Sequence, residues 1–138
     1  MSIREFIVEK VNAFGKAEHI SKSVKRMADL ESEVDERKVK VIYFAHPYNN
    51  DPNNKKKIEE IIKEYYTPGM IPISPINSFG FMYDQYPYEE GMHHCTFLLD
   101  KVDEIWMFGD WKSSRGCRYE MEYAILHGIR IVFPDEVF

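Results

Sequence analysis

Apolar residues recur along this chain with two different periods, and the change of period divides it. From about Ile3 to Ala13, Ile3, Phe6, Ile7 and Val11 fall at helical spacing, with Phe14 next in the series, and Gly15 interrupts. A second segment rich in Lys and Glu runs from about Glu18 to Arg37, with Ile20, Val24, Met27, Leu30 and Val34 on one face. Residues 1–37 therefore read as an N-terminal helical extension. Amphipathic stripes belong more often to a core than to a partner surface, which favours a packing layer over an oligomer contact.

From Lys38 the pattern alternates between strand and helix. Val39–Ala45 is a β-rich run that His46-Pro47 ends. Asn50-Asp51-Pro52 reads as a turn and cap before a helix carrying Ile58, Ile61, Ile62 and Tyr65. Pro68-Gly69 breaks that helix. Residues 70–75 read as a short strand whose prolines place it at an edge. Asn77–Tyr88 reads as a long aromatic loop. Glu89–Lys101 is helical with Met92, Cys95, Leu98 and Leu99 inward. Strand 104–109, a Ser/Gly turn, helix 116–127 and strand 129–133 complete the chain. This alternation predicts residues 38–138 to form an α/β domain of Rossmann-like or flavodoxin-like type. It would have a parallel sheet of four to five strands with helices on both faces.

Composition narrows the function. A chain of 138 residues can bury a core without staples, and 14% aromatic residues argues against disorder. The formal charge of −5 disfavours nucleic-acid polymers and anionic membranes as partners. No apolar run approaches the roughly 20 residues of a membrane span, and no signal-peptide core opens the chain. Cys95 and Cys117 are too few for a disulfide framework, which points to a cytoplasmic protein; a single bridge between them stays open.

In parallel sheets of this kind ligands bind outside the carboxyl ends of the strands. That rule selects the loops 46–51, 74–88 and 109–116. The last is the most informative. A buried strand leads into Ser114-Arg115-Gly116 and then a helix, where free backbone N–H groups and the helix dipole favour an anionic or sugar ligand. Ser114 can cap the helix, and Gly116 allows close approach to the backbone. Glu120 lies within the second turn, at one edge of an apolar stripe of Cys117, Met121, Ala124 and Ile125, and Glu122 lies at the other, so only one of the two can face a given cleft. His93-His94-Cys95 with Cys117 matches no zinc spacing, and adjacent helical residues point about 100° apart, so no metal is expected.

The run Ser114-x-Gly116-x-x-x-Glu120-x-x-Tyr123-Ala124 resembles the signature of the nucleoside 2-deoxyribosyltransferase-like superfamily. Its closest branch in motif is the 2'-deoxynucleoside 5'-monophosphate N-hydrolases. Val41–Pro47 resembles that family's first strand and substrate loop, including Phe44, and Asp103 resembles its strand-opening aspartate. The resemblance covers residues 39–134. It implies N-glycosidic cleavage or transfer on a nucleoside or nucleotide, without cofactor, in a homodimer or higher homo-oligomer. Glu120 would be the nucleophile and Tyr43 would orient it. Ser114, Arg115 and Gly116 would hold the sugar or phosphate. Two departures stand out. The substrate loop carries His46 and Asn49 in place of the Ser and Arg groups that hold phosphate. The family's second carboxylate, eight residues before Asp103, is Cys95 here, which would shift protonation of the leaving base to His94. A binding module that keeps the cleft without turnover is the alternative.

Overall fold

The computed structural model describes residues 2–5, 26 and 39–136. The chain divides into two units, Met1–Lys38 and Val39–Phe138. In the first, residues 3–5 are helical. Ser2 Oγ accepts the Glu5 N–H at 3.1 Å and Glu5 Oε2 accepts the Ser2 N–H at 2.9 Å, a reciprocal cap that satisfies two free donors. The rest of the first expected helix, and the second over residues 18–37 apart from the helical Arg26, lie outside the described residues.

The second unit is a Rossmann-like α/β fold. Strands β1 (Lys40–Ala45), β2 (Met70–Ile73), β3 (Glu104–Met107) and β4 (Arg130–Val132) form one sheet in the order β2-β1-β3-β4, parallel throughout. Helix α1 (Pro52–Tyr65) connects β1 to β2. Helices α2 (Pro75–Phe79) and α3 (Tyr88–Leu99) precede β3, and α4 (Arg115–Leu126) precedes β4. The order reverses between β1 and β3, which makes their carboxyl ends the switch point where such sheets bind ligands.

Side-chain alternation along β1 produces two cores. Tyr43 and Ala45 point to one face with Ile105 and Met107, where Leu99 of α3 and Cys117 and Ala124 of α4 cover them. Ile42 and Phe44 point to the other with Phe108, under Ile58 of α1 and Ile76 of α2. Phe44 stacks on Phe108 with centroids 5.6 Å apart, and Tyr65 tilts over Phe108 at 5.3 Å. β2 is an edge strand, as its prolines imply.

Local signals explain the boundaries. Asp51 caps α1 by accepting the Asn53 N–H at 2.9 Å, with Pro52 in the first turn. Before it, the Asp51 N–H donates to Tyr48 O at 3.0 Å across Asn49 and Asn50, with φ of 51° and 54°. Two successive left-handed residues in a turn suit asparagine better than most side chains. At the amino ends of the strands, Glu104 is buried and accepts from Trp106 Nε1 at 2.9 Å and Lys40 Nζ at 3.0 Å, with Arg130 at 3.5 Å. Burial alone would raise its pKa; these partners together outweigh burial and hold the carboxyl below its usual range.

One expectation fails. The segment expected as a loop from Asn77 opens inside a helix. Ser74 accepts the Asn77 N–H at 3.4 Å and caps α2 with Pro75 in its first turn, and a 3-10 turn, Gly80–Met82, follows. The cap followed by proline is a helix-start signal that the density of prolines and aromatics obscured. Among the described residues no helix is long and apolar enough to cross a membrane.

Ile58 is the fully buried anchor of α1 on its face of the sheet. Ile58→Ala is expected to cost about 2–5 kcal/mol in urea unfolding, the range for truncating a buried aliphatic side chain. A loss below about 1 kcal/mol would show that α1 does not depend on this contact.

Candidate functional site

A cavity of about 300 Å³ opens at the carboxyl edge of the sheet. All three loops anticipated from the sequence contribute. His46, Asn49 and Asn50 come from the loop after β1, Pro75 and Ile76 from the start of α2, and Ser114 and Gly116 from the turn after β3. Helix α3 supplies Met92 and Cys95, and the aromatic segment before it supplies Tyr83 and Tyr86.

Glu120 forms part of the wall. It is 6% exposed, and Oε2 has no hydrogen-bond partner among the described residues. Burial raises its pKa from 4.5 to about 7. The nearby Tyr43 hydroxyl pulls the value back part of the way, although that contact falls short of a well-formed hydrogen bond. Tyr43 itself is fully buried beneath Glu120 and does not line the cavity. Desolvation and the Glu120 charge raise the Tyr43 pKa, so it stays a neutral hydroxyl. Burial and the Glu120 charge also push the Cys95 thiol up to about 12 and raise Cys117 further. Desolvation, with the charges of Cys95 and Glu120, raises Tyr83 as well. The result is a compact group of poor acids around one carboxyl that titrates near neutrality.

Ser114 holds the turn. Its Oγ accepts the Cys117 N–H at 3.2 Å and caps α4. Gly116 faces the cavity; a methyl there would lie 3.9 Å from Glu120 Oε1 and 3.8 Å from Tyr88 Oη, filling the space between them. His46 is buried and donates from Nδ1 to Pro47 O at 2.7 Å, a direction fixed because a carbonyl can only accept. Burial lowers its pKa, with Lys57 adding to the effect and the Pro47 bond opposing it. Its ring packs on Gly109, whose φ of +64° suits glycine and where a Cβ would meet His46 Nε2 at 2.8 Å.

Four residues expected at the site lie elsewhere. Phe44 is wholly buried on the opposite face, because neighbours on a strand point to opposite sides of the sheet. Asp103 lies at the amino end of β3, where Oδ2 accepts the Val41 N–H and its own N–H donates to Val41 O, both at 2.8 Å. It extends the β1–β3 pairing at the edge away from the cavity. Arg115 is exposed and lays its guanidinium 4.1 Å from the Tyr88 ring centroid, in a separate groove between α3 and α4. His94 packs between Phe79 and Tyr86, with centroids at 5.2 and 4.9 Å, and does not line the cavity. Its neighbour Cys95 faces the cavity instead, since the two point about 100° apart on α3. Ile125, expected on the buried stripe of α4, is exposed.

Sequence reasoning named the aromatic segment without placing its members. Gly91 was the missed signal. A Cβ there would meet Tyr86 Cε2 at 3.0 Å, so glycine on α3 is what lets Tyr86 close on the helix beside the cavity. Among the described residues no cluster of three His, Cys, Asp or Glu side chains could hold a metal ion.

A family model described as a domain of unknown function (DUF4406) matches residues 40–133. That span is most of the chain, and the protein belongs to this family. No curated protein and no solved structure gives a significant match.

The raised Glu120 pKa has a consequence for stability. Between about pH 4.5 and 7 the unfolded chain has released a proton that the folded state still holds, so stability falls as pH rises across that window. Above it the wild type carries a buried charge that Glu120→Gln lacks. The variant is expected to gain roughly 3 kcal/mol relative to wild type between pH 5 and pH 8 in urea unfolding. A difference independent of pH would mean that Glu120 titrates as an ordinary exposed carboxyl.

Proposed function

We propose that this cavity cleaves or transfers the N-glycosidic bond of a nucleoside or nucleotide in the cytoplasm, with Glu120 as nucleophile. The observation that carries the reading is the Glu120 carboxyl, buried in a cavity wall with Oε2 unpartnered. Leaving such a group without a partner costs stability, and side chains held that way cluster at functional sites. The resemblance of Ser114–Ala124 to the deoxyribosyltransferase-like signature supports the same assignment.

In the first step a Glu120 oxygen bonds to C1' as the C1'–N bond breaks. The base leaves with the electron pair and takes a proton. The sugar passes through oxocarbenium character that an opposed carboxylate stabilises. In the second step water, or another base, attacks C1' and gives up its proton to solvent as the ester C–O bond breaks, restoring the carboxylate. Tyr43, a neutral hydroxyl beneath Glu120, positions the nucleophile. The thiols and the phenols of Tyr83, Tyr86 and Tyr88 in the cavity have raised pKa values and are weak acids. Water entering through the open mouth is then the proton source for the base. The faces of Tyr83 and Tyr86 suit a stacked base.

A second reading, a nucleoside-binding module without turnover, is favoured by Cys95 standing where the resembling family has a carboxylate. The two readings separate on base release from deoxynucleosides and their monophosphates, followed by chromatography. On the catalytic reading Glu120→Ala lowers kcat by roughly 10³-fold or more with the fold intact. The nucleophile must be ionised, so wild-type kcat/KM rises as pH rises through about 7. Full activity in Glu120→Ala would remove Glu120 from the mechanism. Binding without release by the wild type would establish the module.

A further inference from the structure

Among the described residues the walls of the cavity hold one carboxyl and no permanent cation. Among the described lining residues there is no lysine and no arginine. Among the described residues Arg115, Arg118 and Lys57 lie nearby, and each is directed elsewhere. Arg115 and Arg118 line the neighbouring groove between α3 and α4, which Glu89 and Glu122 line as well. Arg115 is further engaged with the Tyr88 ring at 4.1 Å. Lys57, whose charge is felt at His46, is exposed on α1 and does not line the cavity.

Magnitudes decide what such walls accept. The N-terminus of α4 presents about half a positive charge. A phosphate monoester carries about 1.5 to 2 negative charges near neutrality. An ionised Glu120 on the same wall adds repulsion, and its raised pKa shows how little the site compensates even one negative charge. One N–H of the α4 first turn is already taken, since Cys117 donates to Ser114 Oγ. His46, kept neutral by burial and spending its Nδ1–H on Pro47, offers no charge in its place.

We infer that the cavity selects an unphosphorylated, neutral nucleoside and rejects the 5'-monophosphate of the same base. The inference rests on the glycosidic reading above and sets the substrate class within it. Selection arises from the missing cation, because the turn, the capping serine and the glycine that would suit a phosphate are all present. A cation added at the rim therefore shifts the preference.

The experiment compares base release from the four common deoxynucleosides and from their 5'-monophosphates at pH 7.5 by chromatography. At least one nucleoside is expected to be turned over with kcat/KM roughly tenfold or more above its monophosphate, the factor of one missing charge-assisted hydrogen bond. Monophosphate turnover equal to or faster than the nucleoside's would overturn this inference and leave the glycosidic reading standing. Release from none of the eight would overturn both. Asn50→Arg, or Asn49→Lys if the first unfolds, sets a cation on the exposed rim of the cavity. Either is expected to move the monophosphate-to-nucleoside ratio of kcat/KM toward monophosphate by about tenfold. A ratio unchanged in a folded variant would show that charge does not set the preference.

Discussion

Everything in the α/β unit depends on the alternation of side chains along β1. That strand is central, paired on both sides, and only six residues long. A period of two sends Tyr43 and Ala45 to one helical layer and Ile42 and Phe44 to the other. A slip of one residue would exchange the two sets, placing a phenylalanine under Glu120 and a tyrosine hydroxyl between Phe108 and Ile58. The register that buries the cores therefore also delivers the hydroxyl to the carboxyl. Stability and chemistry share one constraint here.

The same alternation explains how far the sequence could be read. Strand and helix identities were legible because β-branched runs and helical stripes are strong signals in this domain. Ser114 and Gly116 were legible because capping places them with little help from the rest of the fold, whereas helical angle left Glu120 and Glu122 on the two edges of one stripe and the motif resemblance chose Glu120. Phe44 was not. It follows Tyr43 in a motif, yet motif adjacency and spatial adjacency differ in a strand. Asp103 was legible as a strand-opening residue; the site role that the resemblance lent it fails because it stands at the end of the strand away from the cavity. His94 and Cys95 differ by one step on a helix, and only the packing of Tyr86 against Gly91 decides which of them faces inward. Such contacts join residues far apart on the helical wheel or the chain, and no local pattern encodes them.

The electrostatics of the cavity come from exclusion more than from pairing. Its thiols and most of its phenols have raised pKa values, and the one carboxyl that ionises near neutrality does so against burial. The other charged side chains of α4 lie outside, where Arg115 meets an aromatic face and Glu122 meets solvent. A site built this way differs from one lined with ion pairs. Among the described residues its carboxyl has no counter-charge to hold it quiet, so its protonation state responds to whatever enters the cavity.

Pro72 carries a consequence of a different kind. It lies in β2, where it pairs with Ile42 on the inner side and forms part of a margin that no other described strand pairs. An open margin of backbone donors and acceptors is a template on which a second chain can lay a strand. Ile71, exposed on the same strand, would add an apolar foothold for it. A proline in a four-residue strand removes one donor from so short a row and stiffens the backbone around it. β2 can close the sheet on this side without inviting its extension, and the domain gains protection from self-association through the sheet at the cost of a single missing N–H.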